Sequence, residues 1–153
     1  MNIDFDKWNS IKKVVNQKSL LQCFFFRERE IWWCSLGVNV GVETNGKHDL
    51  FERPVLIFKV FNREMLWVMP ITSTKKTSVY YYSFESNMST YYINITQIRT
   101  ISAKRLSRKI GSIKEEDYLN VINMISNLIK NETSPARRGI SEPEGDNDTI
   151  ISK

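Results

Sequence analysis

The chain has 153 residues, 41% of them hydrophobic, and a formal net charge of +5. That length holds one domain with extensions and buries a core without metal or disulfide staples. Two cysteines with no CxxC spacing, Cys23 and Cys34, argue against a disulfide framework.

The longest apolar stretch runs from Leu20 to Phe26, is broken by Gln22, and is too short to cross a bilayer. Asp4 and Asp6 stand near the start, where a secretory leader would carry basic residues, so the expected location is the cytoplasm. The charge is uneven. Residues 131–153 hold three basic and five acidic residues, a net −2, which leaves +7 on residues 1–130. A basic body suits a polyanionic partner, because Lys and Arg that neutralise phosphates release counterions. The same charges also make an ordinary solvated surface.

Ile3 to Asn16 reads as an amphipathic helix, with Ile3, Trp8, Ile11, Val14 and Val15 on one face and Lys7, Lys12 and Lys13 opposite. A helix this short depends on docking. Phe24 to Leu36 is strand-rich, divided by the charged run 27–30. Gly37 to Glu52 is a loop, polar and glycine-containing. Pro54–Phe61 and Met65–Ile71 are strands joined by Asn62-Arg63-Glu64, and the second runs into Thr72-Ser73-Thr74. Val79–Phe84 and Tyr91–Ile95 are strands joined by the turn 86–89. Gln97–Arg108 is mixed and basic, and Ile110–Ile113 adds a short strand. Lys114–Lys130 is a helix with Tyr118, Val121, Ile122, Ile125, Leu128 and Ile129 on one face. Three acids, Glu115, Glu116 and Asp117, occupy its first turn, where the helix dipole favours them. Ser112 or Lys114 lies near its cap. Beyond Lys130 the composition is that of a disordered acidic tail. The division is therefore 1–20, a helical extension; 21–130, a mainly β domain of five to seven short strands with flanking helices, suggesting a small SH3-like barrel; and 131–153, the tail.

One histidine, His48, is too few for a transition-metal site or a convincing triad, and neither GxGxxG nor GxxxxGK[ST] occurs. What remains is an ordered series of motifs. Glu30-Ile31-Trp32-Trp33-Cys34-Ser35-Leu36-Gly37 resembles the opening strand of the MazF/PemK toxins. Val40-Gly41-Val42-Glu43 is similar to their G-x-E loop entry, Arg53-Pro54-Val55-Leu56-Ile57 to R-P-V-L-V, and Pro70-Ile71-Thr72-Ser73 to P-[IL]-T-S. Gln97-Ile98-Arg99-Thr100-Ile101, then Lys104-Arg105-Leu106 and Lys109-Ile110-Gly111, resemble the segment that follows. Together they run from about Arg29 to Ile129.

The resemblance implies a small barrel with a C-terminal helix, used as a homodimer. It implies metal-free cleavage of single-stranded RNA with no cofactor, and a cognate antitoxin that is acidic and partly disordered until bound. Carried over by position, it makes Arg53 and Thr72 catalytic, with Ser73 assisting. Glu43, Lys47, His48, Gln97 and Arg99 become candidate RNA contacts. The chemistry is plausible on its own terms. RNA carries its own nucleophile, the ribose 2′-OH, so cleavage needs alignment and charge stabilisation at the phosphate. An Arg fork and a Thr hydroxyl supply both. The 2′-OH proton requires a perturbed Arg53, Glu43, Glu52 or water.

Equally, Arg53 before Pro54 fits a plain strand start and Thr72 a plain strand end. The tyrosines 80–82, 91 and 92 invite base stacking, but alternation sends half of them to the core. The chain departs from the family pattern in the long segment between Glu43 and Arg53, where Gly46 alone remains of a Gly-Gly pair. The rival expectations are a toxin-fold binding module that grips a protein such as DNA gyrase, and a degenerate inactive relative.

Overall fold

The computed structural model describes residues 4–19 and 25–130. Ile3, Cys23, the start of the Phe24 stretch and the tail 131–153 lie outside them. Helix α1 is Phe5–Gln17, capped by Asp4, whose side chain accepts the Lys7 N–H. Seven strands follow: β1 Glu30–Ser35, β2 Glu52–Val60, β3 Met65–Thr72, β4 Tyr81–Ser86, β5 Ser89–Asn94, β6 Arg99–Ser102 and β7 Leu106–Ser112. Helix α2 is Glu115–Lys130. The Tyr118 N–H reaches the Lys114 carbonyl at 3.1 Å, which settles the cap on Lys114.

The strand order is β4-β5-β3-β2-β1-β7, with β6 added to the first half of β3. The sheet is mostly antiparallel and curls as an SH3-like barrel does, but it is not closed. Its seam lies between β6 and β7, which do not pair and are joined by the 3-10 turn Ala103–Arg105.

Because β1, β2 and β3 are buried on both faces, their apolar runs are continuous rather than alternating. Trp32, Cys34, Val55, Ile57, Leu66 and Val68 fill the inside of the curl. Their neighbours Ile31, Leu56, Met69 and Ile71 fill a second core with Phe84, Ile93 and Val121 of α2. The β4–β5 hairpin turns on Asn87 and Met88, both at positive φ, the geometry that matches strand twist.

Two helix faces differ from the amphipathic expectation. On α1, Trp8 and Val15 are buried and Ile11 half-buried, but Val14 is exposed. On α2, Tyr118, Val121, Met124 and Ile125 face the core, whereas Leu128 and Ile129 are exposed. Among the described residues the second core is packed by the first three turns of α2 and not by these two.

Candidate active site

A cleft of about 300 Å³ opens where β2 begins and β3 ends, lined by Lys47, Arg53, Thr72, Lys76, Tyr81 and Asn94 among others. Register explains the placement. Val55 pairs with Pro70 across the antiparallel β2–β3 ladder. Continuing that register by two residues sets Arg53 across from Thr72, although 18 residues of sequence separate them.

Arg53 is half-buried. Its Nε donates to the Asn45 carbonyl at 2.8 Å, and among the described residues no carboxylate pairs with it. Burial lowers its pKa from the ordinary 12.5, with Tyr81 acting in the opposite sense. Thr72 pairs with Tyr92 on β5. Its Oγ1 accepts the Thr74 N–H at 3.2 Å, so the hydroxyl keeps its own proton for a ligand.

The far wall comes from the hairpin. Tyr82 and Phe84 turn to the second core, so alternation turns Tyr81 to the cleft. Its hydroxyl accepts from Asn94 Nδ2 at 3.1 Å, and Lys76 Nζ stands 5.6 Å from its ring. Among the described residues the lining thus has three cations and no carboxylate, a setting for an anion such as a phosphodiester.

The other sequence candidates are placed elsewhere. Ser73 is exposed beside Thr72. Glu43 caps its own turn, accepting the Val40 N–H at 3.4 Å. Gln97 spans the long loop 36–51: its Oε1 accepts the Thr44 N–H at 3.0 Å and its Nε2 donates to the Val42 carbonyl at 3.3 Å. Arg99 donates to Asn39 Oδ1 at 3.3 Å on the same loop. His48 lines a neighbouring cleft with Trp33 and Arg108, and Lys47 belongs to both clefts. Glu52 is buried and turned away from Arg53, accepting from Arg108 at 3.0 Å. Neither Glu43 nor Glu52 therefore lines the cleft. Among the described residues, no three His, Cys, Asp or Glu stand together to hold a metal ion. No helix there is long and apolar enough to cross a membrane. Sequence reasoning missed Lys76 and Asn94 and left Tyr81 unassigned. Parity from the buried Phe84 was the signal for Tyr81.

The family model for the PemK-like, MazF-like toxin of type II toxin–antitoxin systems matches residues 27–129. The chain belongs to this family. Among solved structures it is similar to MazF from Deinococcus radiodurans, with a TM-score of 0.57 at 13% identity over 69% of this chain and 97% of that one. It is also similar to the Mycobacterium tuberculosis toxin MazF-mt6, with a TM-score of 0.51 at 20% identity over 66% and 96%. An endoribonuclease in complex with its cognate antitoxin, from a mycobacterial species, gives a TM-score of 0.51 at 18% identity over 68% and 93%. No curated protein sequence matches. These likenesses carry the MazF fold. The family match begins at residue 27, after α1 has ended at Gln17.

Proposed function

We propose that this toxin is a metal-independent endoribonuclease that cuts single-stranded RNA, mRNA included. The observation that carries this is that a half-buried Arg53, with no carboxylate partner among the described residues, lines one cleft with Thr72 and the cations Lys47 and Lys76. In the step, the 2′-oxygen attacks phosphorus and the bond to the 5′-oxygen breaks. The products are a 2′,3′-cyclic phosphate and a 5′-hydroxyl. The Arg53 fork takes the charge developing on the phosphoryl oxygens, and Thr72 donates to another. With no carboxylate among the described residues that line the cleft, the 2′-OH proton passes to water. The leaving 5′-oxygen is protonated from solvent. Ser73 sits close enough in sequence to assist Thr72. Lys47 and Lys76 hold flanking phosphates, and His48 extends the path into the neighbouring cleft. Gln97 and Arg99 act first on the loop that borders the path.

The chain then works in the cytoplasm as a homodimer, neutralised by a cognate acidic antitoxin. Support for the antitoxin comes from the solved complexes, of which the mycobacterial one and a MazE–MazF pair from Deinococcus radiodurans are examples.

The test is incubation with mixed single-stranded RNA and excess EDTA, comparing wild type with Arg53→Ala and Thr72→Ala. Cleavage that survives EDTA and falls by about a hundredfold or more in both variants supports the proposal. Intact RNA together with arrested growth of cells expressing the chain assigns it instead to a binding module for a protein target. Intact RNA without arrest marks an inactive relative.

A further inference from the structure

We propose that Trp8, on the helix that precedes the family match, is a positioning residue for Arg53, acting by clamping the neck of the loop 36–51. Its catalytic arm rests on the ribonuclease proposal above; its structural arm does not.

The neck is where the loop leaves β1 and enters β2. Its two ends, Gly37 and Phe51, are tied by the Gly37 N–H donating to the Phe51 carbonyl at 3.2 Å. Trp8, only 6% exposed, covers this tie. The indole lies so close to Gly37 that a Cβ there would stand 2.2 Å from Trp8 Cε2, and Gly37 itself is at φ +85°. The same indole meets the Phe51 ring edge-on at 5.8 Å, and the Arg105 guanidinium lies 5.5 Å from its centroid. One side chain therefore touches both ends of the loop and the 3-10 turn behind it.

Two further contacts seat the helix. Lys104 Nζ donates to the Asn16 carbonyl at 2.8 Å, satisfying an end-of-helix acceptor with a cation. Lys7 pairs with Asp49, an exposed contact that salt screens and that contributes little.

From the neck the path to the guanidinium is short. The Gly37 carbonyl accepts the Gly46 N–H at 2.8 Å. Asn45, next in the chain to Gly46, supplies the carbonyl that accepts Arg53 Nε at 2.8 Å. Lys47, on the other side of Gly46, lines the cleft and is fixed by a two-way backbone bridge with Glu52, at 2.8 and 3.0 Å. A shift of Gly37 thus moves the acceptor that aims Arg53 and the backbone that carries Lys47. A helix that merely covered apolar surface would lack this link. Its loss would loosen all parts of the domain alike.

The experiment compares wild type, Trp8→Ala and Trp8→Phe, each alone and combined with Arg53→Ala, in full-length chain. Trp8→Ala is expected to lower kcat about tenfold to a hundredfold with KM within about threefold, because misplacement of one group spoils alignment more than binding. Trp8→Phe restores most of the rate. In the Arg53→Ala background, Trp8→Ala costs less than about twofold, since residues acting through one another are not additive. Amide exchange gives the structural arm independently. The Gly46 and Lys47 amides exchange at least about tenfold faster in Trp8→Ala, while the Ile57 and Val68 amides of β2 and β3 are unchanged.

If Trp8→Ala fails to fold, Trp8→Leu carries the same measurements. An unchanged kcat, a fully additive double variant, or loop amides that move no more than strand amides overturns the inference. If wild type leaves RNA intact, the exchange pattern still decides whether Trp8 clamps the loop, and only the ribonuclease proposal fails.

Discussion

The two principal groups of the cleft are held by opposite means. Thr72 ends a strand paired on both sides, with Ile71 beneath it buried against Ile93. Its position follows from ladder register and two packed cores. Arg53 starts a strand, but its guanidinium is aimed by a carbonyl from a 16-residue loop. That loop is in turn held by side chains from β6, from the 3-10 turn Ile95–Gln97 that precedes β6, and from α1. A site built this way separates stability from alignment. Changes on the Thr72 side should unfold the domain, and changes on the Arg53 side should slow it without unfolding it.

Ile93→Ala attacks the rigid side and has the largest expected effect. It deletes a fully buried side chain of the second core and costs about 2–5 kcal/mol. Urea titration measures it, and the cleavage rate per folded molecule should stay near wild type. Arg53→Ala does the reverse. It lowers kcat by about 10²–10³ while the urea midpoint moves little. Arg53→Lys fails to restore the rate, because a point charge does not replace the fork.

Asn39→Ala is an intermediate case. Asn39 donates to the Thr44 carbonyl at 2.8 Å and accepts from Arg99 at 3.3 Å, and its own N–H meets Asn45 Oδ1 at 2.6 Å. Removing the side chain should cost about 1 kcal/mol in stability and about tenfold in rate. A larger loss of stability than of rate would erase the contrast between the two sides.

Glu30→Gln gives the smallest effect and tests the frame alone. Burial pushes the Glu30 carboxyl up, but hydrogen bonds from Lys109, Trp32 and the Arg27 N–H outweigh it and hold its pKa below the usual 4.5. A carboxylate depressed in the folded state contributes stability that is complete above the unfolded value and is lost as pH falls through the folded value. The wild type should therefore exceed Glu30→Gln by about 1 kcal/mol at pH 7, and the gap should shrink below pH 4.5. Thermal melts from pH 7 to pH 3 measure it.

Strands β1 to β5 were legible because their apolar runs are long and bounded by polar turns; Met65–Thr72 and Ser89–Asn94 differ from expectation by a residue or two. Strand β6 was not, and β7 begins at Leu106 rather than Ile110, because the segment Gln97–Arg108 is basic and its apolar residues are scattered. Arg53 and Thr72 were legible as motif members, and their juxtaposition needed only the register of a β2–β3 hairpin. What stayed hidden depends on contacts across the chain. Gln97 and Arg99 read as RNA contacts, yet they reach 53 and 60 residues back to hold the loop, and no local pattern encodes that. Glu52 and Arg53 are adjacent, and strand alternation sends one to Arg108 and the other to the cleft. The exposed Ile129 fits the helical period as well as Ile125 does; only the packing of Ile125 against the second core separates them.

Cys34 carries a last consequence. It lies inside the curled sheet with no exposure, and burial pushes its thiol up to about 12. In a Cys23→Ser background it becomes a clock for the inner core. A thiol reagent can label it only after the inner face of β1 parts from its neighbours, so the labelling rate counts openings of that core. A toxin of a toxin–antitoxin system has to persist between encounters with its inhibitor, and that clock reads how long the inner core lasts unaided.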